Sequence, residues 1–409
     1  MRIAIVHPYP VWRRAVGGTT RVDLLVRHLA GRHEVTVLTH ASGDREADAA
    51  AIADLASIGV EQRIFARPRP SPGRKIAWAL AANPYFVGFN RNPGLEAALG
   101  ALEREGALDV VHVEFAYLAP LLGGLGPRVA RSLAEQETMS VMIERLRAVP
   151  GRRRSLYQIY LGHELDRVRR FEAGALCTFD RAWAISPGEA EVLSRLAGRR
   201  IGVLPHVVSA AAFSPPAVEP VEPGLLFVGN YGHDPNRHAI RWFAEEVWPR
   251  VRESIPDARL DVVGPHLPAD DATALEGPGV RLRGRVEDLA GAYREAAVFV
   301  NPIRSGGGMR GKVLEAFACG RPVVSTGLGM EGIAARDGIE CDLADEPAAF
   351  AGATIRLLGD AALRHERGAR SRLLVERLYD APAVFSRLEE AWCEAIADRR
   401  ARPAVGRVA

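Results

Sequence analysis

One stretch near residue 300 restricts the chain to one kind of fold. The apolar run at 297–300 predicts a buried strand, which the following proline ends because proline cannot donate to a sheet. Three glycines come next, at 306–308, and apolar residues then recur at helical spacing over 311–319. Gly320 ends that helix, and a second short strand follows at once. A strand, a helix and a strand in this order predict parallel pairing in an α/β sheet.

Arg310, Lys312 and Glu315 lie at the start of this predicted helix. A helix N-terminus and a glycine loop present unpaired backbone amides, which together attract phosphate. Two cations at the positive end of a helix dipole cost stability unless an anion binds, and a carboxylate one turn later can accept hydrogen bonds from a ribose diol. The stretch therefore predicts a site for a nucleoside diphosphate derivative. The alternative is a flexible loop with a solvated basic pair and a Glu315–Lys312 ion pair.

Alternation of strand and helix runs through both halves of the chain, and it predicts parallel sheets covered on both faces. Prolines concentrate at 214–224, where apolar periodicity stops, which indicates a linker. We predict an α/β fold with two Rossmann-like domains that face each other across a cleft, where strand carboxyl ends bind ligands. The predicted parts are a first domain at 1–208, a linker at 209–223, a nucleotide-binding domain at 224–380, and a terminal helix within 381–409 that packs back on the first domain.

Composition excludes several classes of function. The net charge of +3 over 409 residues is too small to indicate nucleic-acid binding. The four cysteines are far apart and form no CxxC pair, so they predict reduced, buried thiols in the cytosol rather than a metal site. The N-terminus does not resemble a signal peptide, and no apolar run approaches the roughly 20 residues of a membrane-spanning helix. We therefore expect a cytoplasmic protein.

A basic segment at 145–172 combines many arginines with interleaved tyrosines and predicts a long amphipathic helix. Its cluster of Arg152, Arg153 and Arg154 can meet acidic lipid headgroups at the inner face of a membrane, or a phosphate. The alternative is a solvated basic face.

Four stretches resemble glycosyltransferases of the two-Rossmann GT-B type, specifically the retaining family 4, or group 1. They are GGTTRVDLLVRHLAGRHEVTVLT at 17–39, DVVHVEF at 109–115, LLFVGNYGHDPNRHAIRWF at 225–243 and SGGGMRGKVLEAFACGRPVVSTGLGMEGI at 305–333. The last stretch resembles the donor-site signature and is the most specific. The resemblance implies transfer of a sugar from a UDP-, GDP- or dTDP-linked donor to a sugar, lipid-linked or small-molecule acceptor, with retention, no metal and no cofactor.

The resemblance also implies roles for single residues. Glu315 matches the glutamate that holds the donor ribose. Lys312, with Arg310, matches the cations that neutralise the leaving diphosphate, where negative charge develops as the glycosidic bond breaks. The loop at the diphosphate and the donor sugar matches Gly306, Gly307 and Gly308.

Further matches lie outside this signature. Gly17 and Gly18 match the loop of the first domain that closes over the phosphate and the acceptor. Arg285 matches a loop near the base, and Glu331 matches a glutamate that contacts the donor or caps the next helix. Glu114 stands where many members carry a histidine, and its carboxylate can contact the sugar or take the acceptor proton.

One departure from the family pattern affects the donor sugar. Many members carry two glutamates eight residues apart, and Gly307 stands in place of the first, although a GGG-x-R-x-K form also exists. Other functions therefore stay open: a sugar-nucleotide epimerase or phosphorylase of the same shape, or a non-catalytic protein that keeps only the nucleotide site. A pyridoxal phosphorylase is disfavoured because Lys75, the only lysine besides Lys312, lies in a predicted outer helix. A dehydrogenase is disfavoured because no GxGxxG follows the first strand.

Overall fold

The computed structural model describes residues 1–12, 18–148, 156–220 and 222–401. The chain divides into two compact units, which we call the first and the second domain. The first domain holds Met1–Pro205 and Val384–Ala409, and the second holds His206–Ala383.

The first domain is built on a parallel sheet of seven strands within the described residues. Its strands are β1 (Arg2–His7), β2 (Glu34–His40), β3 (Glu61–Phe65), β4 (Val110–Glu114), β5 (Ala130–Glu135), β6 (Arg181–Ala184) and β7 (Gly202–Val203). The spatial order is β3-β2-β1-β4-β5-β6-β7. The helices between them are α1 (Gly18–Leu29), α2 (Arg45–Ala56), α3 (Pro72–Leu80), α4 (Tyr85–Asn90), α5 (Pro93–Arg104), α6 (Met139–Ala148), α7 (Leu156–Leu176) and α8 (Pro187–Ala197).

The second domain has a parallel sheet of six strands, again counted over the described residues. Its strands are β8 (Gly224–Val228), β9 (Arg259–Val263), β10 (Val280–Gly284), β11 (Val298–Asn301), β12 (Val323–Ser325) and β13 (Asp342–Leu343), in the order β10-β9-β8-β11-β12-β13. Its helices are α9 (Asp234–Trp242), α10 (Trp248–Ser254), α11 (Ala269–Leu275), α12 (Leu289–Glu295), α13 (Gly311–Ala318), α14 (Pro347–Gly359) and α15 (Ala361–Leu378). The strand, glycine loop, helix and strand predicted around residue 300 are thus β11, its loop, α13 and β12.

The strand order reverses between β1 and β4 in the first sheet, and between β8 and β11 in the second. Crossovers leave in opposite directions at such a point, so the carboxyl ends of the two central strands open onto a crevice. In the first domain these ends carry His7 and Glu114, and in the second they carry Val228 and Asn301. The topology therefore places a candidate ligand site at each of these edges.

Helices cover both faces of the central strands, so their interior positions are mostly apolar. In β11, Val298, Phe299 and Val300 are all fully buried. In β1 the same holds for Ile5 and Val6. This burial holds in place the strands whose carboxyl ends carry the candidate sites.

The last helix, α16 (Ala381–Ala401), belongs to the first domain from Val384 onward. Trp392 is fully buried and donates Nε1–H to Ser132 Oγ at 2.7 Å. Arg399 forms an ion pair with Asp180 at 2.8 Å. Trp392 of α16 is therefore part of the core of the first domain beside β5, and Arg399 is tied to the residue that precedes β6.

The segment predicted as a linker, 209–223, belongs instead to the second domain in the residues that the structure describes. Arg372 of α15 donates to the backbone oxygens of Ala210 and Phe213, each at 2.8 Å. Prolines interrupt regular structure in such a segment, but its carbonyl groups still find donors on the neighbouring helix. The irregular backbone of this segment therefore does not separate it from the second domain.

Candidate functional site

The glycine loop between β11 and α13 lies at the switch point of the second sheet. Gly306 and Gly308 have φ of 90° and 80°, a region that favours glycine. A Cβ on Gly306 would lie 3.1 Å from Cγ of Pro235, so this glycine also permits a close approach of α9. Arg310 donates Nη1–H to the backbone oxygens of Gly307 and Gly308, at 2.7 Å for Gly308. Its side chain thus folds back over the loop.

Lys312 lies in the first turn of α13, and its ammonium contacts neutral groups. Nζ donates to the backbone oxygen of Val228 at 2.9 Å and to Oδ1 of Asn236 at 2.8 Å. It also lies 4.3 Å from the ring centroid of Phe227. Burial, and then the charge of Arg310, lower the pKa of Lys312 to about 7. Lys312 is therefore a poorly compensated cation at the end of β8, where an anion gains most from binding.

Glu315 lies one turn after Lys312 on the same face of α13. The Tyr293 hydroxyl lies 2.8 Å from Oε2 of Glu315 and 3.0 Å from the backbone oxygen of Lys312. Burial raises the pKa of the Glu315 carboxyl, against the effects of Tyr293 and Lys312, which lower it. Glu315 is half-buried. Its side chain therefore contacts Tyr293 and still reaches solvent.

Two more predicted donor residues, Glu331 and Arg285, also follow strands of the second sheet. Glu331 comes after β12 and directly follows a 3-10 turn at Leu328–Met330, and β12 pairs with β11. It therefore lies on the same sheet edge as the glycine loop. Arg285 directly follows β10 and is exposed. Because β9 and β8 separate β10 from β11, Arg285 lies at the far end of that edge.

At the switch point of the first domain, Glu114 ends β4 and is fully buried. Arg21 of α1 donates Nη1–H to its Oε2 at 3.0 Å, and Gln136 donates to the same oxygen at 2.8 Å. Burial alone would raise the pKa of this carboxyl, but Arg21 and then His112 outweigh it and lower the pKa of Glu114 to about 2. Glu114 is therefore ionised, paired and a weak base.

A chain of hydrogen bonds runs from the last helix to Glu114. Ser132 Oγ lies 2.7 Å from Nδ1 of His112 and accepts the N–H of Trp392. Glu114 is ionised and can only accept, so Nε2 of His112 donates its N–H to Oε1 of Glu114 at 3.2 Å. The next residue, Phe115, has a φ of 86°, a strained value for a residue with a side chain. The backbone that follows Glu114 is thus held in an unusual conformation beside the site.

Some of the predicted positions cannot be placed. Gly17 and the cluster of Arg152, Arg153 and Arg154 lie outside the described residues. Gly18 is the first residue of α1.

Sequence reasoning missed three residues that hold these groups. Asn236 contacts Lys312, Tyr293 contacts Glu315, and Arg21 contacts Glu114. Asn236 could have been found, because it follows the strand of the LLFVGNYGHDPN stretch at the same sheet edge. Tyr293 and Arg21 carry no such signal, since each reaches the site only through the packing of its helix.

Three further features of the described residues concern metals, membranes and thiols. Within the described residues, no group of three or more His, Cys, Asp or Glu side chains is placed to hold a metal ion. Over the same residues, no helix combines the length and the apolar character that crossing a membrane requires. All four cysteines are free, but only Cys319 and Cys341 are buried; Cys177 and Cys393 are exposed. The prediction of buried thiols is therefore wrong for two of the four, because Cys177 lies in the turn after α7 and Cys393 lies on the exposed face of α16.

Comparison with known proteins supports the family resemblance. Residues 222–360 match the model of the family described as glycosyl transferases group 1. Over 178 residues the chain is 26% identical to an uncharacterized 44.6 kDa protein in the cps region of Klebsiella pneumoniae. That match covers 40% of this chain and 44% of the relative, so it spans less than half of either.

Solved structures similar to this chain include several with bound nucleotide. Sucrose-phosphate synthase from Thermosynechococcus elongatus has a TM-score of 0.69 at 19% identity, over 97% of this chain and 99% of that one. A mutant of S. aureus TarM in complex with fondaparinux, alpha-GlcNAc-glycerol and UDP has a TM-score of 0.66 at 10% identity, over 97% and 100%. Anabaena HepE in complex with UDP and glucose has a TM-score of 0.61 at 12% identity, over 96% and 100%.

At such identities the structures establish the fold, and the family match covers residues 222–360 of the second domain. Both agree with the architecture and the family expected from the sequence. The chain therefore has the GT-B fold, and residues 222–360 within its second domain match the family of glycosyl transferases group 1.

Proposed function

We propose that this protein is a glycosyltransferase that moves a sugar from a nucleotide-diphosphate sugar to an acceptor. The observation that carries the proposal is the position of Lys312. Its ammonium lies at the switch point of the second sheet, at the start of a helix and behind a glycine loop, and its hydrogen-bond partners among the described residues are neutral oxygens. Each of these features favours an anion at the same place.

The chemistry of the transfer accounts for the cations. When the bond between the sugar and the nucleotide breaks, its electrons stay with the diphosphate, which becomes the leaving group. Lys312 and Arg310, together with the amides at the start of α13, stabilise the charge that develops. We propose a reaction without a metal because these groups supply the positive charge a metal would otherwise provide. Retention at the anomeric carbon is proposed from the family resemblance alone.

Glu315 is proposed to accept hydrogen bonds from the ribose diol of the donor. Tyr293 holds one of its oxygens, so the carboxylate is oriented before the nucleotide binds. Glu331 is proposed to contact the donor beside the glycine loop. Arg285 is proposed to lie near the base, at the far end of the sheet edge.

The role of Glu114 is more restricted than the sequence suggests. A carboxylate with a pKa of about 2, paired with Arg21, has little tendency to take a proton at neutral pH. We propose that Glu114 acts through its charge, by holding Arg21 and His112 at the end of β4. The acceptor site itself is proposed to lie at this edge of the first domain.

Titration calorimetry with UDP, GDP, ADP and dTDP tests the nucleotide site. UDP is the first probe because HepE and the TarM mutant were solved with it. Lys312→Met and Glu315→Gln are expected to weaken binding of the preferred nucleotide by about tenfold or more, since each removes a contact with a charged group. Arg250→Met, which removes an exposed arginine of the same domain, is the matched control and should bind as the wild type does.

Turnover of the corresponding nucleotide sugars then separates the alternatives. Release of the nucleoside diphosphate with transfer to an acceptor, or slow donor hydrolysis, supports a transferase. Appearance of an epimeric donor without release supports an epimerase. Tight binding with no turnover across a broad acceptor panel would indicate a non-catalytic protein, as the glycine at position 307 allows.

We further propose a cytoplasmic location, where nucleotide sugars are made, and a peripheral contact with the inner membrane face through the segment that contains Arg152, Arg153 and Arg154. Flotation with vesicles that contain acidic lipids tests this contact. The triple variant Arg152→Ser, Arg153→Ser, Arg154→Ser is expected to lose binding. Equal flotation of the variant and the wild type would argue against it.

A further inference from the structure

The side chain of Asn236 joins two parts of the second domain. Its Oδ1 accepts from Lys312 Nζ at 2.8 Å, and its Nδ2 donates to the backbone oxygen of Asn230 at 2.8 Å. The opposite orientation of the amide would set an NH2 group against an ammonium and an oxygen against a carbonyl oxygen, so the contacts determine which way the amide points. Asn236 is therefore fixed at both of its polar atoms.

The first turn of α9 holds Asn236 in this position. A Cβ on Gly229 would lie 3.1 Å from both Cβ and Cγ of Asn236, so the glycine lets the asparagine approach the turn after β8. One residue later, Arg237 donates to the fully buried Asp271 of α11 at 2.5 Å. This ion pair ties α9 to the domain, so the Asn236 amide has little freedom to follow a moving lysine.

The hydrogen-bond partners of Lys312 are both neutral. Two of the three N–H donors of its ammonium go to Val228 O and Asn236 Oδ1. The charged groups that act on it are Arg310, which opposes its charge, and Glu315, which supports it. An aspartate at position 236 would have nearly the same shape but would cancel the charge of Lys312 before any ligand arrived.

We propose that Asn236 is a positioning residue that holds Lys312 toward the donor diphosphate while leaving the charge of the ammonium uncompensated. The inference rests on the function proposed above and names the residue that makes Lys312 effective. The neutral amide costs the free protein some stability, because a cation stays unpaired, and the ligand recovers that free energy on binding.

The two lysines of the chain allow a direct test. Protein labelled with 13C at lysine Cε gives one signal each for Lys75 and Lys312, and Lys75→Arg assigns them. Each signal is followed against pH in the wild type, in Asn236→Asp and in Asn236→Ala, with UDP affinity measured on the same samples. Asn236→Ala only removes atoms, so it serves as the second variant if the aspartate variant does not fold.

We expect Asn236→Asp to move the titration of Lys312 to higher pH, leave that of Lys75 unchanged, and weaken UDP binding by about tenfold or more. Asn236→Ala should weaken UDP binding by a similar factor and, with a turned-over donor, lower kcat more than it changes KM for the acceptor. Unchanged Lys312 titration and UDP affinity in the folded variants would overturn the proposal. The lysine titration does not depend on turnover, so a response of Lys312 without any sugar transfer would count against the proposed function and not against the contact.

Discussion

Trp392, in the last helix, donates to Ser132 Oγ at 2.7 Å, and both side chains are buried. Ser132 in turn lies 2.7 Å from Nδ1 of His112, which reaches Glu114 through its other nitrogen. Hydrogen bonds therefore connect the carboxyl-terminal helix to a histidine at the switch point of the first domain. A segment 260 residues away from Ser132 is thus part of the candidate site's support.

The Ser132 hydroxyl is expected to stabilise this chain of hydrogen bonds. Ser132→Ala leaves the Trp392 N–H and the His112 Nδ1 unpaired and should lower the free energy of unfolding by at least about 2 kcal/mol, measured by urea denaturation. In a Trp392→Phe background the same change should cost less, because the unpaired indole N–H is absent. Strict additivity of the two changes would contradict the shared hydrogen bond.

The Arg21–Glu114 ion pair should respond strongly to loss of either partner. Its side chains are 1% and 0% exposed, so Arg21→Met leaves an unpaired buried carboxylate, and we expect a loss of about 3–5 kcal/mol in the free energy of unfolding. Glu61→Gln breaks an exposed pair with Arg63 and serves as the control, with an expected change within about 1 kcal/mol. Similar losses in the two variants would show that the buried pair stabilises the fold no more than the exposed pair does.

The pH dependence of Arg21→Met gives a further check. The pKa of Glu114 falls from an ordinary 4.5 to about 2 in the folded protein, so the pair stabilises the fold above pH 4.5 and loses its effect as the pH falls toward 2. The difference between the wild type and the variant should therefore shrink over that range. A difference that stays constant down to pH 2 would exclude an electrostatic origin.

The pKa of Glu135 shifts in the opposite direction to that of Glu114, so its effect on stability has the opposite pH dependence. Burial, and then Glu172, raise the pKa of its carboxyl well above the ordinary 4.5. The folded state therefore binds a proton that the unfolded state releases, and stability is lost as the pH rises above 4.5. Glu135→Gln should raise the free energy of unfolding by at least about 1 kcal/mol at pH 8.

The matched measurement for Glu135→Gln is at pH 4, where both states of the wild type are protonated and the gain should vanish. Glutamine can still accept from the Ala116 amide, which lies 2.7 Å from Oε2 of Glu135. A variant that is less stable than the wild type at pH 8 would show that the carboxylate is needed in its charged form.

Binding of UDP is expected to draw a proton onto Lys312. With a pKa of about 7, the lysine is mostly neutral at pH 8, and a bound diphosphate favours its charged form. Calorimetry at pH 8 in Tris and in HEPES, which differ in ionisation enthalpy, should report uptake approaching about one proton per UDP. Lys312→Met should bind more weakly and without proton uptake; equal uptake in this variant would assign the proton to another group.

Local sequence pattern determined the kind of fold and the place of the candidate donor site. Apolar runs separated by helical periodicity predicted parallel α/β sheets, because burial on both faces leaves that pattern in each strand. The glycine loop at 306–308 and the cations after it predicted the start of α13 at Gly311, where the structure has it. All the residues of this unit are close in sequence, so no tertiary information was needed to find it.

Contacts between distant segments were decided only by the tertiary structure. Asn236 meets Lys312 because β8 and β11 are adjacent in the sheet, and Trp392 meets Ser132 because the last helix returns to the first domain. The same reason changed our interpretation of Glu114, whose carboxylate pairs with the buried Arg21. It also changed that of the proline-rich segment before β8, where Arg372 donates to backbone oxygens. A sequence shows which chemical groups are available. The burial of each group and the identity of its partner determine its charge and pKa, and both arise only when remote segments pack together.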